Sequence, residues 1–219
     1  MRSPSENPAR RWWVRLIAIT LFVGGWLGLA GSAWGQIVRV EEDWELVVST
    51  PDPDTDGPQV ICVSSPGEGM NSLHANFELN LRSLPGFAPG GLQLQVWNGE
   101  TPVGQSQAPN TAVMRTPGET VRWTQTMQLS GGMLTFEIVG GSSTTWESFG
   151  GQGYLKANVA TSLADLSGYS PQVSATYSGV SYASNRVASL VLKRVRMISQ
   201  NGQVLEDNTP RVVYQQDPN

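Results

Sequence analysis

The segment Val121–Val139 places the strongest constraint on how this chain can fold. Two stretches of alternating apolar and polar residues flank the pair Gly131-Gly132. Such alternation is typical of a strand with one buried face, and paired glycines suit a two-residue hairpin turn. The predicted register sets Leu129 opposite Leu134, Met127 opposite Phe136, Gln125 opposite Ile138, Thr126 opposite Glu137, and Gln128 opposite Thr135. We therefore expect a hairpin with one dry and one wet face, which is a building block of antiparallel sandwiches and barrels.

Strand-like segments recur along the rest of the chain, and no repeat, heptad or long helical pattern interrupts them. In Leu73–Leu81 the alternation is cleanest, with His74, Asn76, Glu78 and Asn80 on the predicted wet face. The other predicted strands are Ile37–Val48, Leu92–Trp97, Thr101–Val103, Tyr154–Val159, Val187–Ser199 and Val212–Tyr214. Nine or ten short strands separated by turns predict an all-β, antiparallel sandwich of the jelly-roll or concanavalin-like kind.

Two further hairpins are indicated by Asn-Gly pairs. Asn98-Gly99 predicts a type I′ turn between two strands, and Pro102 predicts an edge position for the second. Asn201-Gly202 predicts a turn that sets Ile198 against Leu205 and Arg196 against Asp207. A change of apolar phase near Lys193-Arg194 predicts a β-bulge in the longest strand.

The first 35 residues have the pattern of an export signal. Arg2, Arg10, Arg11 and Arg15 precede an apolar run of about 15 residues, too short for an ordinary spanning helix. Ala33-Trp34-Gly35 resembles a cleavage site. We expect a signal helix at 1–35, a single sandwich domain at 36–219, and a mature chain with no membrane span that is secreted, periplasmic or held in the cell envelope. Retention of the segment as an anchor is the alternative.

Charge excludes one class of partner. The chain has 14 basic and 18 acidic residues; the first 35 contain four arginines and one glutamate, which leaves 10 basic and 17 acidic residues. An acidic mature domain argues against nucleic acid or an anionic membrane surface as partner.

The single cysteine, Cys62, lies in the apolar run Val60–Val63, so we expect a buried thiol within a strand. An intermolecular bridge or a nucleophile is the alternative, but a cysteine nucleophile needs a base such as histidine. The single histidine, His74, has no second ligand nearby in the sequence, so it predicts no metal site.

An acidic turn is the candidate metal site. Asp52, Asp54 and Asp56 precede Gly57 with the spacing of the first positions of an EF-hand loop. Val63 stands where that loop needs a glutamate, so the turn is not an EF-hand. It is either a weak calcium turn completed by other loops or a solvated acidic turn, and no other cofactor is predicted.

A second acidic motif offers the one enzymatic alternative. Glu41, Asp43 and Glu45 share one face of the first predicted strand, and this resembles the Glu-x-Asp-x-Glu motif of laminarinase-type glycoside hydrolases. The resemblance implies that Glu41 and Glu45 would be the nucleophile and the acid. Glu42 replaces an apolar residue of that motif. Because a retaining pair lies about 5–5.5 Å apart, an extended strand does not satisfy it without a bulge. The other reading is an acidic strand face with Trp44 in the core.

Candidate ligand-binding residues come from loops and from strand phase. Trp146 and Tyr154 belong to a glycine- and hydroxyl-rich stretch, and Trp97 shares a strand face with Gln93 and Gln95. Arg186 opens the longest strand and could pair with a loop carboxylate. Exposed aromatic rings would suit stacking on sugars; alternatively, Trp146 folds back as a loop anchor. No catalytic triad or nucleophile elbow is evident.

The run from Glu41 to Val48 and the Pro-Asp-Pro-Asp segment after it resemble the start of secreted proteins of planctomycete-type bacteria. The resemblance covers about 25 residues at the mature start, and more loosely the Ser-Asn-Arg-Val segment at Arg186. It implies an exported sandwich domain and no particular activity.

These features together predict a non-catalytic protein of the cell envelope or extracellular space that binds polysaccharide or a cell-surface protein. A purely structural envelope component and a glycoside hydrolase-like enzyme are the alternatives.

Overall fold

The computed structural model describes residues 35–49, 58–80, 91–110, 112–114 and 116–217. Over these ranges the chain is built almost entirely of strands, with one short helix, α1 (Pro171–Tyr177), and a 3₁₀ turn at Ser184–Arg186. The strands are β1 (Ile37–Val48), β2 (Gln59–Ser64), β3 (Leu73–Leu79), β4 (Leu92–Asn98), β5 (Thr101–Gln107), β6 (Thr120–Ser130), β7 (Met133–Ser143), β8 (Glu147–Phe149), β9 (Lys156–Ala160), β10 (Gly179–Tyr182), β11 (Val187–Ser199), β12 (Val204–Asp207) and β13 (Arg211–Gln215).

The strands form two antiparallel sheets. The larger has eight strands in the order β12-β11-β1-β6-β7-β8, with β13 also paired to β11 and β9 to β7. The smaller has five strands in the order β10-β2-β3-β4-β5. Two sheets that pack face to face form a β-sandwich, so the predicted all-β, antiparallel sandwich is confirmed.

The core lies between the sheets and is rich in aromatic rings. Trp44 of β1 stacks on Trp123 of β6 with ring centroids 6.2 Å apart. Phe77 of β3 meets the ring of Trp123 edge-on at 5.6 Å, which joins the small sheet to the large one. All three side chains are almost fully buried. Burial of each contributes about 2–3 kcal/mol to stability.

The predicted central hairpin is confirmed in register. Strands β6 and β7 pair Leu129 with Leu134 and Met127 with Phe136, and the other three predicted pairs also match. Gly131 and Gly132 form the turn, both with positive φ, at +56° and +75°. Glycine adopts this conformation without steric cost, so the local sequence alone was enough to set the register.

The other two hairpins exist, but each differs from its predicted turn by one residue. Asn98 pairs with Thr101, so the first turn is Gly99-Glu100 rather than Asn98-Gly99. In the later hairpin Ile198 pairs with Val204, and Arg196 lies opposite Glu206 instead of Asp207.

The loop of the later hairpin explains its shift. The Ser199 N–H donates to the Gln203 carbonyl at 2.9 Å, and the Gly202 N–H donates to the Ser199 carbonyl at 2.9 Å. Gly202 has a φ of +82°. This is a three-residue loop that ends in a left-handed glycine, and one added loop residue moves every pair after it.

Several finer expectations are also confirmed. The register of β11 against β1 shifts at Lys193, where the bulge was predicted. Strand β5, which contains Pro102, lies at the edge of the five-stranded sheet. Cys62 is buried in β2. Strands β8 and β10 and the seven-residue helix α1 were not predicted, because each is too short to show a period of its own.

No helix in the described ranges is long and apolar enough to cross a membrane. The predicted signal segment lies outside those ranges, apart from Gly35.

Candidate functional site

The acidic motif of β1 lies on the outer face of the eight-stranded sheet, where each carboxylate contacts a basic residue. Glu41 accepts from Arg39 at 2.8 Å and from Arg196 at 2.7 Å. Asp43 contacts Arg194 at 2.6 Å, and Glu45 contacts Arg122 at 2.8 Å. We name this motif, Glu41, Asp43 and Glu45, the acidic stripe. Trp44 between them points into the core, as the structural reading of the motif predicted.

The acidic stripe does not have the geometry of a retaining glycosidase. The pairing of β1 with β6 is continuous from Arg39 to Val47, so β1 itself carries no bulge there. In an extended strand, Glu41 and Glu45 stand about 13 Å apart, well beyond the separation of about 5–5.5 Å that a retaining pair requires. The resemblance to the laminarinase motif therefore concerns residue spacing and does not extend to site geometry.

Glu42, between the stripe residues, points the opposite way and lies in the core at 1% exposure. One carboxylate oxygen accepts from the Tyr169 hydroxyl at 2.7 Å and the Ser174 hydroxyl at 2.5 Å. The other accepts from Trp44 Nε1 at 3.1 Å and Gln125 Nε2 at 3.0 Å. Burial raises the pKa of Glu42, while these four hydrogen bonds lower it in part.

This arrangement is that of a structural carboxylate. Its donors come from β1, from β6 and from the segment that contains α1, so Glu42 connects that segment to the large sheet. Each oxygen already has two donors, which leaves little capacity for a ligand. Cys62 belongs to the same interior, where burial and the nearby Glu42 charge raise the pKa of its thiol. A thiol with a raised pKa holds little reactive thiolate, which fits the predicted buried cysteine.

The outer face of the five-stranded sheet has a different chemistry. Its side chains are mainly amides, aligned across the strands by the register: Asn76 lies opposite Gln95, and Glu78 lies opposite Gln93. On the far side of β4, Gln95 and Gln93 lie opposite Gln105 and Gln107. We name this surface the amide face; it consists of Gln59, His74, Asn76, Glu78, Gln93, Gln95, Trp97, Gln105 and Gln107.

The polar face of β3 was predicted to be wet, but it is largely shielded from solvent. His74 is 3% exposed, Glu78 is 4% exposed and Asn80 is 1% exposed. The alternation was correct, but the polarity of a strand face does not by itself report its exposure. Asn80 has a structural reason for its burial, because its amide links two other segments of the chain. Its Nδ2 donates to the Pro58 carbonyl at 2.9 Å, and its Oδ1 accepts from the Met114 N–H at 3.1 Å.

Most of the amide face, by contrast, lacks hydrogen-bond partners. Among the described residues, six buried side-chain nitrogen or oxygen atoms of this one surface have none. The six are Gln59 Nε2, Asn76 Oδ1, Glu78 Oε2, Gln93 Nε2, Gln93 Oε1 and Trp97 Nε1. A buried polar group without a partner costs about 1–3 kcal/mol, so this cluster is the feature of the surface that most needs an explanation.

Glu78 lies near the centre of the amide face. It lies between Ile61 of β2 and Gln93 of β4 in the sheet register. Burial raises the pKa of this carboxyl group from 4.5 to about 7. At neutral pH it is therefore divided between an acceptor form and a form that can also donate a proton.

Apolar and aromatic groups border the polar part of the surface. Trp97, half-buried, lies opposite His74 at one end. On the opposite side, Tyr182 pairs in register with Gln59 and is 46% exposed. A shallow cavity of about 180 Å³ beside Ile61 is lined by Tyr177 and Val180. The five strands give the face a width of about 19 Å.

The four predicted ligand-binding residues do not form one groove. Trp97 lies on the amide face, whereas Trp146 is 3% exposed and donates from Nε1 to the Ala112 carbonyl at 2.8 Å. Trp146 also packs edge-on against Phe149 at 6.3 Å, as its alternative role of loop anchor requires. Tyr154 packs against the core.

Arg186 is buried at the 3₁₀ turn before β11, and its carbonyl accepts from the Ser49 N–H at 2.7 Å. It therefore helps to hold the start of the longest strand. The predicted calcium turn with Asp52, Asp54 and Asp56 lies outside the described residues, so the calcium site stays a prediction.

Sequence reasoning identified Trp97, Gln93 and Gln95 as sharing one strand face but did not place them beside Asn76 and Glu78. The available signal was that β3 and β4 both carry polar residues at alternate positions over the same length. Their pairing depends on the connection between the strands, which the local pattern does not specify. Gln59 gave no signal, because it is the first residue of β2, whose sequence otherwise reads as that of a buried strand.

No family model matches this chain. No curated protein sequence matches it either. Among solved structures, it is similar to an ancestral congerin, Con-anc, with 12% sequence identity and a TM-score of 0.28, over 58% of this chain and 87% of that one.

Proposed function

We propose that this chain is an exported, non-catalytic protein of the cell envelope or extracellular space that binds polysaccharide on its amide face. The observation that carries the proposal is the cluster of six buried, unpartnered hydrogen-bond atoms on one surface of the sandwich. A carboxylate whose hydrogen bonds are all made within the protein, like that of Glu42, has little capacity left to bind a ligand.

The chemistry of the surface favours a sugar. Side-chain amides offer both donors and acceptors, and so do the hydroxyl groups of a carbohydrate. Trp97 adds an aromatic ring at the end of the same row, where it is half-buried and so retains some exposed surface. Flat aromatic rings stack on the C–H face of sugar rings. The combination of several amides with one ring therefore matches an extended, hydroxyl-rich chain.

Export is proposed from the basic and apolar character of the first 35 residues. We expect the protein recovered from outside the cytoplasm to begin at Gln36, which N-terminal sequencing would show. A mature protein that begins at residue 1 or 2 would contradict cleavage and favour the anchor alternative.

Glycan-array binding of the purified protein tests the proposal. We expect wild type to bind at least one polysaccharide, and Trp97→Ala and Gln93→Leu each to weaken that binding by about tenfold or more, as loss of an aromatic anchor or a central amide does. Gln128→Ala is the matched control, because Gln128 is an exposed amide on the outer face of the other sheet. Thermal unfolding of each variant separates loss of binding from loss of fold.

Two results would contradict the proposal. One is a folded wild-type protein that binds no member of a broad glycan panel. The other is binding that Trp97→Ala and Gln93→Leu leave at the level of Gln128→Ala.

A further inference from the structure

The two sheets differ sharply in where they carry charge. Strands β2, β3, β4, β5 and β10 contain no lysine or arginine, and Glu78 is the only carboxylate among them. The eight-stranded sheet, in contrast, carries the ion pairs of the acidic stripe and further pairs such as Lys156 with Glu137 at 3.0 Å. The amide face is therefore a neutral surface with one acid near its centre.

No described neighbour neutralises that acid. Its flanking residues in the register, Ile61 and Gln93, are uncharged, and Glu78 Oε2 has no hydrogen-bond partner. Burial is the cause of its raised pKa, and no basic group contributes an opposing effect.

A bound hydroxyl group would complete this site, whereas a bound anion would not. A sugar hydroxyl can donate to Glu78 Oε2 and accept from a neighbouring amide. A sulfate or carboxylate on the sugar would instead be brought beside a partly ionised acid, away from bulk water, with no arginine or lysine in the sheet to offset the repulsion.

We infer that the amide face selects neutral glycans over anionic ones and that Glu78 is the residue that determines this selection. This inference rests on the proposed function. It adds the class of glycan and the side chain that discriminates.

Other titratable groups near Glu78 in the described elements are few. His74 lies on the same face of β3, four residues away and so about 13 Å along the strand. Its Nδ1 lies 3.0 Å from the Ser72 carbonyl, to which it can donate. Tyr182 lies at the β10 edge, and α1, which packs near β2, contains no charged residue. Glu78 is thus the group expected to titrate at the centre of this surface near neutral pH.

The test compares neutral polysaccharides with sulfated or carboxylated derivatives of the same backbones, immobilised on one array and probed with purified wild type and Glu78→Gln. At pH 8 we expect wild type to bind the neutral members and to bind the anionic derivatives at least about tenfold more weakly. Glu78→Gln keeps the shape and the acceptor but removes the charge, so its discrimination should fall several-fold. Thermal unfolding confirms that both proteins are folded.

A pH series separates a direct role of Glu78 from a structural one. Between pH 8 and pH 5.5 the wild-type acid takes up a proton while sulfate stays ionised, so binding of the sulfated derivatives should rise more for wild type than for Glu78→Gln. Equal binding of neutral and anionic derivatives by wild type, or an unchanged ratio in Glu78→Gln, would overturn the inference and leave the proposed function standing. Absence of binding to every glycan would overturn both.

Discussion

Glu42 and Glu78 are both nearly inaccessible to solvent, and burial raises the pKa of each, yet they differ in their surroundings. Glu42, 1% exposed, accepts four hydrogen bonds from groups of the core. Glu78, 4% exposed, has one oxygen without any partner and lies among amides that also lack partners. Burial alone therefore does not distinguish one of these acids from the other.

Under the proposed function, the number of donors around each buried acid distinguishes the structural role of Glu42 from the binding role proposed for Glu78. A carboxylate with satisfied oxygens connects the elements that supply its donors. A carboxylate with a free oxygen on an unsatisfied surface retains hydrogen-bonding capacity for a ligand. Measurements at Glu42, Glu78 and Glu45 test this difference between the two acids and between the two sheets.

The largest effect is expected at Glu42. Glu42→Leu keeps an approximately similar volume but leaves four buried donors without an acceptor. At about 1–3 kcal/mol for each unsatisfied group, we expect a loss of at least about 4 kcal/mol in the free energy of unfolding, measured by urea denaturation. Glu42→Gln is the control, because its carbonyl can still accept from Trp44 and Gln125 while its NH₂ donates to the two hydroxyls; we expect a loss of about 1 kcal/mol. If Glu42→Leu is as stable as wild type, apolar packing can replace the cluster and Glu42 has no structural role.

The pH dependence of stability gives an intermediate effect at Glu78. Its pKa rises from 4.5 to about 7 in the folded chain, so the folded state binds more protons than the unfolded state over that range. Its contribution to stability is fully present below about pH 4.5 and is lost as the pH rises through about 7, a change of about 3 kcal/mol.

Glu78→Gln removes this titration. From pH 4.5 to pH 8, the free energy of unfolding of wild type should fall by about 3 kcal/mol relative to that of Glu78→Gln. A constant difference across this range would mean that Glu78 has an ordinary pKa and is not buried as described.

The smallest effect is expected on the acidic stripe. Glu45→Gln breaks the contacts with Arg122 and Lys193, which lie at 2.8 and 3.6 Å on a partly exposed surface. Ion pairs of this kind contribute about 0–1 kcal/mol, so the melting temperature should change little, and glycan binding should not change. If wild type hydrolyses a polysaccharide and Glu45→Gln does not, the glycosidase alternative is supported. The functional surface would then lie on the eight-stranded sheet and not on the amide face.

Local sequence was sufficient where a single turn fixed the geometry. Gly131-Gly132 set the register of β6 and β7, and the change of apolar phase near Lys193 located the bulge in β11. It was insufficient where loop length decided the outcome, as at Asn201-Gly202, where one additional loop residue moved Arg196 from Asp207 to Glu206. Such a shift leaves the alternation of each strand intact, so the pattern alone does not reveal it.

The residues of the candidate site show the same difference between what the local pattern predicts and what long-range packing decides. Strand phase grouped Trp97 with Gln93 and Gln95, and it placed Trp44 on the core side of β1. It did not show that Trp146 is buried or that the polar side of β3 is shielded. Those facts depend on which elements pack together across long stretches of chain.

Alternation and turn chemistry act over a few residues, so the all-β class, most strand positions and the face on which each strand residue lies could be read from the amino-acid sequence. The union of the β3 and β4 amides into one surface, and the contrast between the satisfied Glu42 and the unsatisfied Glu78, became visible only in the folded chain. Hydrogen-bond satisfaction depends on donors that are distant in sequence, such as Tyr169 and Ser174 for Glu42, and these meet their acceptor only when the sheets and the connecting segments pack.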